Sequence, residues 1–395
     1  VLRQVVVVGA SAAGLTTVEA LRRGGFEGKV MLVGAEPHLP YDRPPLSKQV
    51  LAGDWAPERA RLRAEDHLDG LDVELVLGNA ATSLDPVRAR VELADGSGVD
   101  YDALVIATGV SARTLPSAEG LAGVHVLRTL DDALALRAEL LTGPRVVVVG
   151  AGLIGCEVAA TARKLGAEVT IVEPLEAPMV RVMGARIGGL ISQVHADHGV
   201  PVRTGVGVAS LAGSMGRVTA VLLADGTKLP ADVVVLGIGA NPAVGWLQGS
   251  GLNISAAGVE CDATCQAVPG VYAAGDVASW THEGLGAQLR LEHRTNATEQ
   301  GIAVAKNLLA GPDNAQPYLP LPYFWTDQYD LKIQGFGLPA AQDEVEVVEG
   351  DLESRKFVAL YRRAGRVTGA VGWNSARAMR PYRQQVIDGM TPAGA

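Results

Sequence analysis

The chain is poor in the residues that would make it a disulphide scaffold or a membrane protein. It holds three cysteines, Cys156, Cys261 and Cys265, and none in its first 155 residues. An odd count without a framework matches a reducing cytoplasm. No apolar run approaches the ~18 residues a membrane span needs. The opening, VLRQVVVV, runs directly into a strand, so neither a signal peptide nor a membrane span is expected. Positive charge is also short: the net charge of −9 argues against general nucleic-acid binding. Aromatics make up only 4% of the chain, while glycine reaches 48 residues. That balance suits alternating strands and helices joined by tight turns. At 395 residues, two or three domains are expected. No metal site is expected.

The most informative stretch runs from Val5 to Lys48: VVVVGASAAG, then MLVGAE, then PYDRPPLSK. Four valines in a row read as a parallel strand buried on both faces. Gly9, Ser11 and Gly14 follow at the spacing of a dinucleotide-binding turn. The first position allows the tight turn, the middle lets backbone approach a pyrophosphate, and the third lets the helix pack closely. The N–H groups at the helix start then face the phosphates. Glu36 ends the second strand, where an acid bonds a ribose hydroxyl. Ser11 stands where the middle glycine is usual, which weakens this first motif. The loop at 40–48 is stiffened by prolines and carries Arg43 and Lys48. On local sequence alone, Lys48 reads as a solvent-facing lysine at a helix start.

The motif then repeats. VVVVGAGLIG begins at Val146, and Gly150 lies 141 residues after Gly9. Here Gly150, Gly152 and Gly155 complete the full pattern. A helix ends near Gly166, and AEVTIVE is a strand ending at Glu173, 23 residues after Gly150. Strand, turn, helix, strand and acid stand in the order a dinucleotide needs. Glu173 can bond a free ribose 2′-hydroxyl and repels a 2′-phosphate. No Arg or Lys occurs from Glu173 to Val180, so NADH is favoured over NADPH. Two such sites in one chain suggest one resident and one exchanging cofactor.

Between and after these motifs lie further buried strands. DALVIATG ends in the small-residue turn Ala107-Thr108-Gly109, ADVVVLGIGANP runs into a turn at Gly239, and VYAAGDVA reaches Gly275-Asp276. Asp276 reads equally as a cofactor ligand and as a helix N-cap. An alanine-rich helix is expected from about Asn296 to Leu309, and a last helix near 376–389. After Gly311-Pro312, aromatics concentrate in LPLPYFWTDQYDLKIQG. From Asp351 to Ala395, eight Arg/Lys stand against three Asp/Glu, a balance of +5. Arg362, Arg363, Arg366, Arg377, Arg380 and Arg383 supply most of it. A solvated face is the commoner outcome for such a run; a dock for an acidic partner is the other.

Taken together, VVVVGASAAG, PYDRPPLSK, VIATG, GAGLIGCE, GIGANP, YAAGD, LEHRTNATEQG and PYFWTDQYDLKIQG resemble the FAD-dependent ferredoxin reductases of bacterial oxygenase systems. These belong to the wider flavoproteins with two dinucleotide domains. The resemblance implies an α/β fold: two Rossmann-like units for FAD and NADH, the second inserted in the first, and a C-terminal α+β interface domain. The implied bounds are 1–110 with 237–313 for FAD, 111–236 for NADH, and 314–395 for the last unit.

It also implies roles. FAD phosphates would lie over Gly9, Ser11, Ala12, Ala13 and Gly14, with Glu36 on the adenosine ribose. Lys48 would stand beside the isoalloxazine. Arg43, Ala81, Ala107, Thr108, Gly109 and Arg128 would line the cofactor, and Gly275 with Asp276 would hold the ribitol. Arg294 falls where this family commonly has tryptophan. Gly150, Gly152, Leu153, Ile154, Gly155, Glu173 and Gly239 would serve NADH. Glu157 would lie near Lys48 and the nicotinamide, a pair that fixes both side chains and balances charge. Trp325 would flank the flavin on the acceptor side. The cysteine-free first 155 residues lack the Cys-x4-Cys pair of the disulphide reductases of this fold. The implied activity is hydride transfer from NADH to FAD, then single electrons to an acidic iron–sulfur ferredoxin. That ferredoxin would dock near Trp325 and Arg362, Arg363, Arg377, Arg380 and Arg383, and would feed an oxygenase. A monomer or weak homodimer is expected. An NADH oxidase or rubredoxin reductase, and a non-catalytic NADH-sensing flavoprotein, are the alternatives.

Overall fold

The computed structural model describes residues 2–391. Its first sheet has six strands. The valine run Gln4–Val8 lies inside it, parallel to Lys29–Gly34 on one side and to Ala103–Ile106 on the other. Paired on both edges and covered on both faces, Val5, Val6 and Val7 are fully buried; this is why the strand is an unbroken apolar run. The strand Val271–Ala273 joins the far side of Ala103–Ile106, also parallel. The strands at 4–8, 29–34, 103–106 and 271–273 thus share one sheet and one core.

The second glycine motif heads a second, five-stranded parallel sheet. Arg145–Val149 pairs with Glu168–Glu173 and with Val233–Leu236. The two chain crossings between the sheets, Val110–Ala112 and Ala240–Pro242, pair antiparallel as a short ribbon. A turn at Asp225-Gly226 joins Arg217–Leu223 to Lys228–Pro230, which pair antiparallel.

The last unit is a five-stranded antiparallel sheet. Tyr323–Gln328 is its edge, followed in space by Leu331–Gly337, Arg366–Trp373, Lys356–Arg363 and Glu344–Asp351. Side chains alternate across its two faces. Phe324, Ile333, Tyr361, Val371 and Trp373 join the core of the second parallel sheet's unit. The other face carries Phe336, Ala370 and Leu360 and is covered by Met379, Val386 and Met390. The register places Trp325 opposite Gln334, and Gln334 opposite Gly372. A Cβ on Gly372 would stand 2.3 Å from Met379 Sδ, so Met379 packs on the face that Trp325 shares.

The final helix is shorter than expected. It covers Arg383–Met390, after a single 3-10 turn at Arg380–Tyr382. Pro381 accounts for the late start, because its ring has no N–H and clashes with the preceding helical turn. The alanine-rich helix forms over Arg294–Ala310. No helix among the described residues is long and apolar enough to cross a membrane.

Candidate functional site

Two adjoining cavities lie at the carboxyl ends of the first sheet, where the strand order reverses and α/β proteins place ligands. The smaller, about 800 Å³, is lined by Gly9, Glu36, Ala81 and Thr108 together with His38, Tyr41 and Trp246. The larger, about 1140 Å³, is lined by Ala12, Ala13, Lys48, Gly109, Arg128, Gly275, Asp276 and Arg294. Ser11, Arg43 and Ala107 border both, so the two form one elongated site.

The glycines set how closely its walls approach. Gly9 has φ +123°, and a Cβ there would stand 2.1 Å from Ala107 O. A Cβ on Gly14 would stand 1.9 Å from Gly9 O. Both positions therefore require glycine, while the intervening Ser11 does not cap the helix it precedes. The first N–H groups of that helix are left for a ligand.

A polar chain links the two cavities. Arg43 donates to Glu36 Oε1 at 2.9 Å, to Tyr41 Oη at 3.1 Å and to the Arg128 carbonyl. Tyr41 in turn donates to Glu36 Oε2. Burial works against the Arg43 cation, but the oxygens of Tyr41 and Glu36 outweigh it and hold its pKa above the usual value. Glu36 thus has both carboxylate oxygens engaged within the protein. Arg128 Nη2 stands 3.3 Å from Asp276 Oδ2. Burial, then repulsion from Arg43, pulls the Arg128 pKa down, and burial pushes the Asp276 carboxyl up against the attraction of Arg128. Asp276 sits in the short turn Gly275–Val277 rather than at the cap of a helix.

Three units meet at the wide end of the larger cavity. The prolines of the 40–48 loop shape a 3-10 turn at Pro44–Ser47, which presents Lys48. Glu157, in the first turns of the helix Leu153–Lys164 of the second unit, faces it. Lys48 Nζ donates to Glu157 Oε2 at 2.8 Å, with side chains 13% and 6% exposed. Ser47 donates to the same oxygen, and Thr326 Oγ1 to Oε1 at 2.9 Å. Trp325 closes the cavity from the C-terminal sheet, beside Tyr323 at 5.9 Å between rings. Arg294 also faces it, donating to Asp42 and Thr298.

The second glycine turn opens toward the same place. Gly150, at φ +99°, would place a Cβ 2.3 Å from Gly237 O, and Gly155 one 2.1 Å from Gly150 O. At Gly152 nothing lies within 4 Å, so the turn is open where a phosphate would approach. Leu153 and Ile154 line the larger cavity. Gly239 lies outside the two cavities with φ +93°, its carbonyl accepting from Arg113 N at 3.0 Å. Glu173 is only 7% exposed. Its carboxylate accepts from Ala151 N at 2.7 Å and Leu175 N at 3.0 Å, which ties the strand end to the glycine turn.

The three thiols are buried away from both cavities. Burial pushes Cys265 up to about 12 and raises Cys156 and Cys261 as well. None is a ready nucleophile.

These features recur in known proteins. A family model described as pyridine nucleotide-disulphide oxidoreductase matches residues 3–301, and one described as reductase C-terminal matches 323–394. The chain belongs to this family. It is 40% identical to a ferredoxin–NAD(P)+ reductase of a Sphingomonas species over 367 residues, 92% of this chain and 87% of that one. It is 40% identical to the ferredoxin–NAD+ reductase subunit of a benzene 1,2-dioxygenase system of Pseudomonas putida, over 97% of this chain and 93% of that one. The solved covalent putidaredoxin reductase–putidaredoxin complex superposes with a TM-score of 0.92 at 34% identity, covering 98% of this chain and 93% of that one. The resemblance read from the motifs and the α/β architecture are borne out: the chain is an oxidoreductase of the ferredoxin reductase type.

Several residues of the site carry no sequence signal of their own. Ser47 and Thr326 contact Glu157 across long stretches of chain, and Tyr41 contacts Glu36 five residues away without any motif that marks it. Arg128 Nε, His293 Nδ1 and Trp246 Nε1 are buried without a hydrogen-bond partner, and all three residues line the cavities. Burial pulls His293 down to about 4.

Proposed function

We propose that the protein is an NADH:ferredoxin oxidoreductase with resident FAD, working in the cytoplasm and supplying single electrons to an iron–sulfur ferredoxin of an oxygenase system. One observation carries this reading: Lys48, Glu157 and Trp325, from three units of the chain, converge on one cavity. That cavity continues into a dinucleotide-binding turn on one side and opens to a second such turn on the other.

The residues fit FAD on physical grounds. The unpartnered donors of Arg128 and Trp246, and the free ring nitrogen of His293, need a polar ligand to satisfy them. The narrow cavity at Gly9, Glu36 and Ala81 suits the adenosine half. The helix N–H groups at Ala12 and Ala13 suit the pyrophosphate, and Asp276 suits the ribitol. FAD, when bound, converts the two-electron chemistry of NADH to one-electron transfers. The protein supplies placement. Glu157, fixed by Lys48, Ser47 and Thr326, presents a held carboxylate at the nicotinamide. Leu153 and Ile154 form the wall against which that ring stacks, and Gly150, Gly152 and Gly155 admit its pyrophosphate. Glu173 confers the preference for NADH.

In this reading the cofactor units span 1–110 with 237–313 for FAD and 111–236 for NADH, and 314–395 is the acceptor unit. The ferredoxin is acidic and docks beside Trp325. Arg362 is 3.5 Å from Glu346 and Arg363 is 2.7 Å from Asp343, so these two are engaged within the chain. Arg377, Arg380 and Arg383 are exposed, and none forms an ion pair among the described residues. They flank Met379, on the sheet face that Trp325 shares, and form the docking charge of a monomer or weak homodimer. The test is NADH-dependent reduction of cytochrome c with and without an added ferredoxin. Reduction that requires the ferredoxin is expected. Rapid oxygen consumption without it would make the protein an oxidase.

A further inference from the structure

Behind Glu157, away from the cavity, a buried chain of hydrogen bonds continues from Thr326. Thr326 Oγ1 donates to Glu157 Oε1 at 2.9 Å. Gln328 Nε2 lies 3.3 Å from Thr326 Oγ1, and Gln328 Oε1 lies 3.1 Å from His195 Nε2. His195 Nδ1 lies 3.0 Å from Tyr329 Oη. Thr326 and His195 are fully buried, Gln328 is 1% exposed and Glu157 5%.

The donors can be assigned in one consistent way. The Glu157 carboxylate only accepts, so the single hydroxyl proton of Thr326 goes to it. Thr326 oxygen must then accept, which turns the Gln328 NH2 toward it and the Gln328 carbonyl toward His195. His195 Nε2 therefore carries the proton, and Nδ1 accepts from Tyr329. Every bond points the same way, toward Glu157, so each polarises the next.

The outer end of the chain is also held. Tyr329 has φ +55°, in the left-handed region that non-glycine residues rarely occupy. There its ring stacks on His198 at 3.7 Å and its hydroxyl reaches His195. Tyr329 leads the two-residue turn between Tyr323–Gln328 and Leu331–Gly337, and hairpin turns of that length favour such a conformation.

We infer that His195 is a positioning residue for Glu157, acting through Gln328 and Thr326 to hold the carboxylate in place and turned to Lys48. Its effect on NADH chemistry rests on the functional reading above; its effect on Glu157 does not.

The test uses flavin-loaded H195F, H195Q, E157Q and the H195F/E157Q double variant. A glutamine at 195 retains a donor to Gln328, and phenylalanine does not. Anaerobic reduction by NADH should slow roughly tenfold in H195F, as for one lost positioned hydrogen bond, and by less than about twofold in H195Q. In the E157Q background the H195F change should cost less than about twofold. An equal factor in both backgrounds would overturn the inference, because His195 would then serve packing. If H195F does not retain flavin, Q328M interrupts the same chain and should show the same non-additivity. The second readout is the carboxyl 13C resonance of Glu157, assigned by its loss in E157Q. Its chemical shift should move in H195F, where the carboxylate loses its support, and stay in place in H195Q. A resonance unmoved in H195F overturns the positioning role. A wild-type protein that NADH fails to reduce overturns the functional reading, and this resonance then decides the inference alone.

Discussion

Lys48 Nζ and Glu157 Oε2 stand 2.8 Å apart although 109 residues separate them in the chain. Both side chains are buried, so each charge depends on the other. Removing Lys48 alone leaves a carboxylate held only by Ser47, Thr326 and the Asp327 N–H. K48M should therefore lower stability by about 3 kcal/mol, while K48M/E157Q recovers part of that loss. Urea unfolding of the two variants and of E157Q measures the coupling. Strictly additive losses would mean that the pair is not an interacting unit.

Charge on the C-terminal surface should act on the acceptor step only. Reversing Arg380 and Arg383 to glutamate should slow ferredoxin reduction roughly tenfold or more at low salt and much less at high salt. NADH-to-dye activity should stay intact, because neither arginine lines the cavity. Equal loss of both activities would assign these residues to folding.

Glu173 ties the strand end to the glycine turn, and this decides how its proposed role in cofactor choice is tested. Its carboxylate holds Ala151 N and Leu175 N, so an arginine at 173 would bury a cation against two donors. E173Q keeps an acceptor and removes the charge that repels a 2′-phosphate. The NADH over NADPH ratio of kcat/KM should narrow by about tenfold, with the KM for NADH rising. An unchanged ratio would move cofactor selection to another residue.

His195 gives a pH signature. Burial pulls it down from 6.5 to about 4, with Gln328 opposing and His198 adding to the shift. The folded protein holds the neutral ring, and the unfolded chain takes up a proton first as pH falls. Stability is therefore fully present above pH 6.5 and is lost as pH falls toward about 4, by roughly 3 kcal/mol. Unfolding free energy measured across that window should fall less steeply in H195Q. An identical slope in the variant would place the acid sensitivity elsewhere.

Much of this was legible from the chain. The valine runs and the glycine turns are local patterns, and their demands are local too: Gly14 meets the carbonyl of Gly9 five residues away. Lys48 is different. Its own surroundings read as those of a solvent lysine, and only the resemblance of PYDRPPLSK and GAGLIGCE to a family suggested its partner. Thr326, Gln328 and His195 were not legible, because a hydrogen-bonded chain between a helix and a distant sheet has no periodicity or spacing. By sequence, Glu36 and Glu173 are acids placed to meet a ligand. The fold gives both of them protein donors as well, and an acid's partners cannot be read from its place at a strand end. The last helix begins later than the expected 376 because Pro381 interrupts the turn before it.

In the proposed function this cavity accepts electrons from NADH and passes them singly to a ferredoxin. Stopped-flow absorbance of the anaerobic protein mixed with NADH, then with oxidised ferredoxin, follows both steps. Rapid bleaching of the flavin band by NADH, much slower bleaching by NADPH, and return of the band on mixing with ferredoxin are expected. A protein that binds no flavin after reconstitution, or whose bleached flavin is reoxidised by air and not by ferredoxin, would contradict it.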